Sequence, residues 1–193
     1  SSSELETVST TALTGAVIKG PLQGALVYAD SDGDGVGDGD PIMTGSDGSY
    51  TVNATNPNAT IIAITSEDTV DTSSGETLSG VTLKAPAGSS VVTPATTILE
   101  AQPDIEPAQL AVALGIPTTA ADGTAIDLTS FNPYAEDADP AVALAAEKAA
   151  QQVMVTIKAV SAAAEGAGMD SSDAFENAMA SVAEVVSEVA EKI

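Results

Sequence analysis

The spacing of apolar positions changes character near Thr93. Before it, apolar residues come in short runs, alternating or continuous over four or five positions, and most runs end at Gly, Pro, Asn or Asp. Leu13–Gly20, Ala25–Ala29, Ser49–Asn53, Ile61–Ile64, Leu78–Leu83 and Ser89–Val92 read as strands, punctuated by Pro21, Gly24 and the Asp47-Gly48 turn. After Thr93 the period becomes helical. Thr93-Pro94 supplies an N-cap and a first-turn proline for a helix that passes Ile98 and Leu99 and stops before Pro103. Pro107 opens a second short helix through Leu114, closed by Gly115. Residues 117–134 are irregular, and Phe131 and Tyr134 are expected to anchor them onto a core.

Two longer helices finish the pattern. Asp139-Pro140 starts one that reaches about Glu165, with an inner face of Val142, Ala146, Ala149, Val153, Ile157 and Val160. Gly166 and Gly168 break it, and Asp170 or Ser172 caps the next. There Phe175, Met179, Val182, Val186, Val189 and Ile193 form a heptad-spaced seam, expected to close on the preceding helix as a hairpin. The expected fold class is α+β, an N-terminal antiparallel β-sandwich followed by a C-terminal helical bundle or hairpin. The expected boundaries are an extended arm over 1–12, the sandwich over 13–92 and the helical part over 93–193.

Composition narrows the chemistry. Aromatics are 3% of 193 residues, so the core must come from Val, Ile, Leu and Ala, and bound metal becomes a plausible source of extra stability. The formal net charge is −23, which makes nucleic acid and anionic membrane surfaces poor partners. His, Cys, Trp and Arg are absent. The usual general base, zinc ligands and disulfides are therefore missing, and the chain is expected not to be an enzyme. No apolar run is long enough to insert in a membrane. The opening Ser1-Ser2-Ser3-Glu4, without Met, is expected of a processed form or an excised fragment.

One acidic stretch carries the candidate chemistry. Between Asp30 and Asp40, five aspartates alternate with Gly, Ser and Val. Crowded carboxylates repel each other and glycines cost backbone entropy, so the stretch gains from a hard cation that accepts many oxygens in an irregular cage. Against an EF-hand loop, Asp30, Asp32 and Asp34 fill positions 1, 3 and 5, Gly35 turns the chain, Val36 offers its carbonyl, and Asp38 falls at position 9. Position 12 is Pro41 rather than Glu, and the last acid is Asp40. Flanking strands replace the EF-hand's helices. The expected calcium ligands are Asp30, Asp32, Asp34, Val36, Asp38 and Asp40, with Asp47 near enough in sequence to assist.

Gly20-Pro21-Leu22-Gln23-Gly24-Ala25-Leu26-Val27, the aspartate loop and Thr44-Gly45-Ser46-Asp47-Gly48-Ser49-Tyr50-Thr51-Val52 together resemble the calcium-binding SdrD B-like repeats of bacterial surface proteins, which are prealbumin-like sandwiches. The family usually ends its loop Gly-Glu-Pro; this chain has Gly39-Asp40-Pro41, one residue shorter. The stretch from Asp71 through Val91-Val92-Thr93-Pro94-Ala95-Thr96-Thr97 resembles a segment of large secreted adhesin-like proteins of marine bacteria. The resemblance implies calcium, secretion and surface display. It sets the functional expectation as an extracellular structural or adhesive module of a surface fibre, filament or adhesin, self-associating or joined to neighbouring subunits, with strand donation from residues 1–14 as one expected route. The competing expectation is an accessory module that binds a glycan or peptide.

Overall fold

The computed structural model describes residues 9–193. It is an α+β fold of two larger sheets, one small sheet and four helices. The first sheet has the order β10-β1-β5, from Val91–Val92, Thr11–Val17 and Ser49–Ala54. The second has the order β4-β3-β6-β9, from Asp38–Met43, Leu26–Asp30, Thr60–Ile64 and Thr82–Ala85. The third joins β2 (Leu22–Gln23), β7 (Val70–Asp71) and β8 (Glu76–Thr77). Pairing is antiparallel except between β1 and β10, which run parallel through Ala16↔Val91 and Val17↔Val92.

Period-two burial sets which side of each strand meets the core. In β5, Tyr50, Val52 and Ala54 are buried while Ser49, Thr51 and Asn53 are exposed. β6 has Ile61, Ile62 and Ala63 all buried, as its continuous apolar run predicts for a strand covered on both faces. Three strand expectations need correction. The first strand ends at Val17 rather than Gly20, because Ile18 bridges back to Pro21 in a tight turn. Leu78–Leu83 is not one strand: Gly80 has φ +70°, and β9 starts only at Thr82. Asp38–Met43, whose first three residues read as acidic loop in the sequence, is an edge strand, a position that tolerates its Pro41.

The helices are α1 (Pro94–Ala101), α2 (Pro107–Ala113), α3 (Pro140–Gly166) and α4 (Ser171–Glu191). The Thr93-Pro94-Ala95-Thr96-Thr97 segment has two structural jobs. Thr93 Oγ1 accepts from the Thr96 amide at 3.0 Å and Thr96 Oγ1 accepts from the Thr93 amide at 2.8 Å, a reciprocal cap. The same first turn closes the edge of β9: the Lys84 amide donates to Thr97 Oγ1 at 2.9 Å, and Thr96 Oγ1 donates to the Lys84 carbonyl at 2.8 Å. Two threonines thus stand where another strand would pair.

Asp139 caps α3, its Oδ1 accepting from the Ala141 and Val142 amides. The α3–α4 pair forms the expected hairpin, but its seam differs. Val160, Val189 and Ile193 are exposed, and Ser161, Ala183, Ser187 and Ala190 are buried instead. Straight helices drift away from a seven-residue repeat, so the buried stripe on α4 passes Phe175, Met179, Ala183, Ser187 and Ala190 and leaves Val189 and Ile193 outside. The small side chains along that stripe permit close approach. Phe131 packs against the core as expected; Tyr134 does not, remaining 36% exposed. A single buried cluster runs from Val17 through Leu83, Ile98 and Leu110 to Ile157 and Ala190, so the sheets and helices share one core. The Ser90 and Val91 amides both donate to the Thr129 carbonyl, which ties the irregular segment to β10. Of the expected arm, residues 1–8 lie outside the described residues; Thr11–Thr14 belong to β1 and pair with Thr51–Ala54 of β5.

Candidate metal centre

β3 and β4 form a hairpin whose mouth is lined with acid. Ala29 pairs with Asp38, which sets Asp30, the last residue of β3, beside the first residue of β4. The next registered pair is Val27↔Ile42, so Gly39, Asp40 and Pro41 bulge opposite Tyr28. Gly37 lies so close to the Tyr28 ring that a side chain there would collide with it.

The loop is wound around the Asp30 carboxylate. Asp30 is 4% exposed, its Oδ1 accepting from the Gly33 amide and its Oδ2 from the Gly35 amide, both at 2.9 Å. Gly33 and Gly35 have φ of +75° and +84°, values that favour glycine. Asp32 Oδ1 accepts from the Asp34 amide at 3.2 Å, Asp34 Oδ1 from the Val36 amide at 2.9 Å, and Asp38 Oδ2 from the Ser31 amide at 2.7 Å. From outside the loop, Asn56 Nδ2 donates to the Ser31 carbonyl at 3.2 Å. Sequence reading missed Asn56; its signal was the Asn56-Pro57-Asn58 turn.

Of the five expected carboxylates, three come together. Carboxylate oxygens of Asp30, Asp32 and Asp38 lie within 4.8 Å of one another. Asp34 and Asp40 stand outside that group. Asp47 is outside it too: its Oδ1 accepts from the Ser49 amide at 3.0 Å and shapes the β4–β5 turn. The Ser49 hydroxyl and amide hold the Asp47 carboxyl below the usual range.

The charges in the group are unequal. Burial pushes the Asp30 carboxyl up, but hydrogen bonds from the Gly35 amide, the Asp32 carboxyl and the Gly33 amide outweigh it and hold Asp30 below the ordinary carboxylate range. At Asp32 the Asp34 amide favours ionisation. The hydrogen bond to Asp30, desolvation and the neighbouring Asp34 charge overcome it and lift Asp32 above that range. Among the described residues the one ion pair is Lys19–Asp71, so no ammonium neutralises the loop.

These donors fit a hard cation: all are carboxylate oxygens, with no nitrogen or sulfur to favour a softer metal. Asp30, Asp32 and Asp38 would hold it, and its charge would relieve the repulsion among them. Asp30 keeps free lone pairs after binding two amides, so it can shape the loop and ligate at once. Comparison with family models, curated proteins and solved structures gives no match to the chain. No described helix is long and apolar enough to cross a membrane.

Proposed function

We propose that this protein is a calcium-stabilised extracellular structural or adhesive module, a subunit or segment of a bacterial surface fibre or adhesin. The observation that carries this reading is the Asp30–Asp32–Asp38 group, held at the mouth of the β3–β4 hairpin by a glycine-rich loop. Calcium there ties the end of one strand to the start of the next and stiffens a sandwich whose core is built largely from small aliphatic side chains. The strong acidity fits a surface bathed in salt and divalent cations, where self-repulsion is screened. Assembly proceeds through neighbouring copies or subunits. Light scattering and electron microscopy of purified protein, with calcium and with chelator, test the reading. Calcium-dependent filaments or higher oligomers are expected. A monomer in both conditions, combined with calorimetry that shows no calcium binding, defeats it.

A further inference from the structure

Two identical tripeptides flank the turn that braces the acidic loop: Asn53-Ala54-Thr55 and Asn58-Ala59-Thr60. Each is an acceptor pattern for N-linked glycan, in which the hydroxyl two residues on prepares the asparagine amide for transfer and the middle residue is not proline. Asn56 lies between them and is followed by Pro57, which disqualifies it. The structure divides the three asparagines the same way. Asn56 spends its amide inside the protein, donating from Nδ2 to the Ser31 carbonyl and accepting at Oδ1 from the Asn58 amide at 2.9 Å. The Asn53 and Asn58 side chains are exposed and make no hydrogen bond among the described residues.

The surroundings leave room for a large substituent. Asn53 sits on β5, the edge strand of its sheet, directly opposite Ala12. The outward face there carries Ala12, Thr14 and Ala16 opposite Asn53, Thr51 and Ser49, with no bulky side chain. Thr55 is exposed beside it. Asn58 is exposed in the turn that leads to β6, and its partner Thr60 reaches Glu100 through a 3.3 Å hydrogen bond in the finished fold. A glycan at this corner would shield the unpaired edge of β5, which otherwise invites pairing with another strand.

We infer that the Asn53–Thr60 corner is a glycosylation site, with Asn53 and Asn58 as acceptors of an oligosaccharide carried on a lipid diphosphate. The asparagine Nδ2 forms a bond to the anomeric carbon. The bond from that carbon to the diphosphate oxygen breaks, the lipid diphosphate leaves with the electron pair, and the amide proton passes to a base of the transferase. The inference rests on the extracellular reading, since such transfer occurs on exported chains.

The test is mass spectrometry of the protein isolated from its native source, after cell fractionation. Cleavage before aspartate releases a peptide from Asp47 to Glu67 that contains both sites. A hexose-bearing mass on Asn53, Asn58 or both is the expected result, with 18O incorporated as aspartate after amidase release of the glycan. Expressed in the same host, Thr55→Ala should lose the Asn53 glycan and Asn58→Gln the Asn58 glycan, while Thr55→Ser keeps its glycan. Unmodified peptide from protein recovered outside the cell overturns the inference and leaves the calcium module standing. Protein found only inside the cell overturns both the inference and the extracellular reading.

Discussion

Replacing single loop aspartates separates two functions that the loop combines. Asp30 accepts two amides from a buried position, so its carboxylate organises the loop before any metal arrives. A hydrogen bond to a charged group contributes roughly 1.5–3 kcal/mol when buried. Water can replace part of that in an open loop, so Asp30→Ala should cost about 1–3 kcal/mol even in chelator. For a chain of 193 residues, 1 kcal/mol moves Tm by about 2–4 °C, so the expected fall is on the order of 2–12 °C. Asp32 is exposed and accepts a single amide at 3.2 Å, so Asp32→Ala in chelator should melt close to wild type. Calcium adds RT ln(1 + [L]/Kd), about 2.7 kcal/mol at a hundredfold excess over Kd, which raises wild-type Tm by roughly 5–10 °C. Both variants should lose that gain. Far-UV circular dichroism melts of wild type, Asp30→Ala and Asp32→Ala, each in chelator and in calcium, read all the terms, with Kd from calorimetry. Full calcium stabilisation of Asp32→Ala would refute the ligand assignment. An unchanged chelator melt of Asp30→Ala would refute its role in winding the loop.

Asp71 is buried, 3.2 Å from Lys19 Nζ, and its Oδ1 accepts from the Ser73 hydroxyl at 2.6 Å. Burial pushes its carboxyl up, but Ser73 and Lys19 hold it below the ordinary range. Its stabilising contribution is therefore present above the unfolded pKa of about 3.9 and is lost as pH falls through the lower folded value. Asp71→Ala should cost about 2–4 kcal/mol at pH 7 by leaving Lys19 unpaired, and urea titrations should show the gap from wild type closing as pH drops below that value. Burial pushes the Tyr50 phenol up to about 12, and its hydroxyl has no hydrogen-bond partner. The folded protein should lose stability as pH rises from about 10, where an unfolded tyrosine ionises, towards 12. Tyr50→Phe should resist alkaline unfolding better than wild type and change neutral stability by less than about 1 kcal/mol. In the hairpin, fully buried Ile157→Ala should cost about 2–5 kcal/mol and exposed Val160→Ala less than about 1 kcal/mol, as measured by urea denaturation; equal losses would restore Val160 to the inner face of α3.

The sequence alone determined the fold class, the four helices, the caps at Thr93 and Asp139, and the acidic loop as a turn rich in aspartate and glycine. Those features are local: Thr93 and Asp139 act on amides within three residues, and aspartates on alternate positions converge wherever glycine lets the chain turn. The tertiary structure decided which acids meet. Asp38 joins Asp30 because β4 returns along β3, and a strand containing Gly39 and Pro41 is visible only once its pairing to β3 is known. Asp40, one pleat further along, stands away from the group for the same reason. Thr96 and Thr97 read as ordinary helix residues until β9 supplies the edge they close. On α4, the pattern that reads as a valine seam yields to Ala183, Ser187 and Ala190, because the contact follows the pitch of a straight helix and the space beside α3. Spacing along a chain states which contacts are possible. Register, edge and pitch select among them, because each depends on residues far away in sequence.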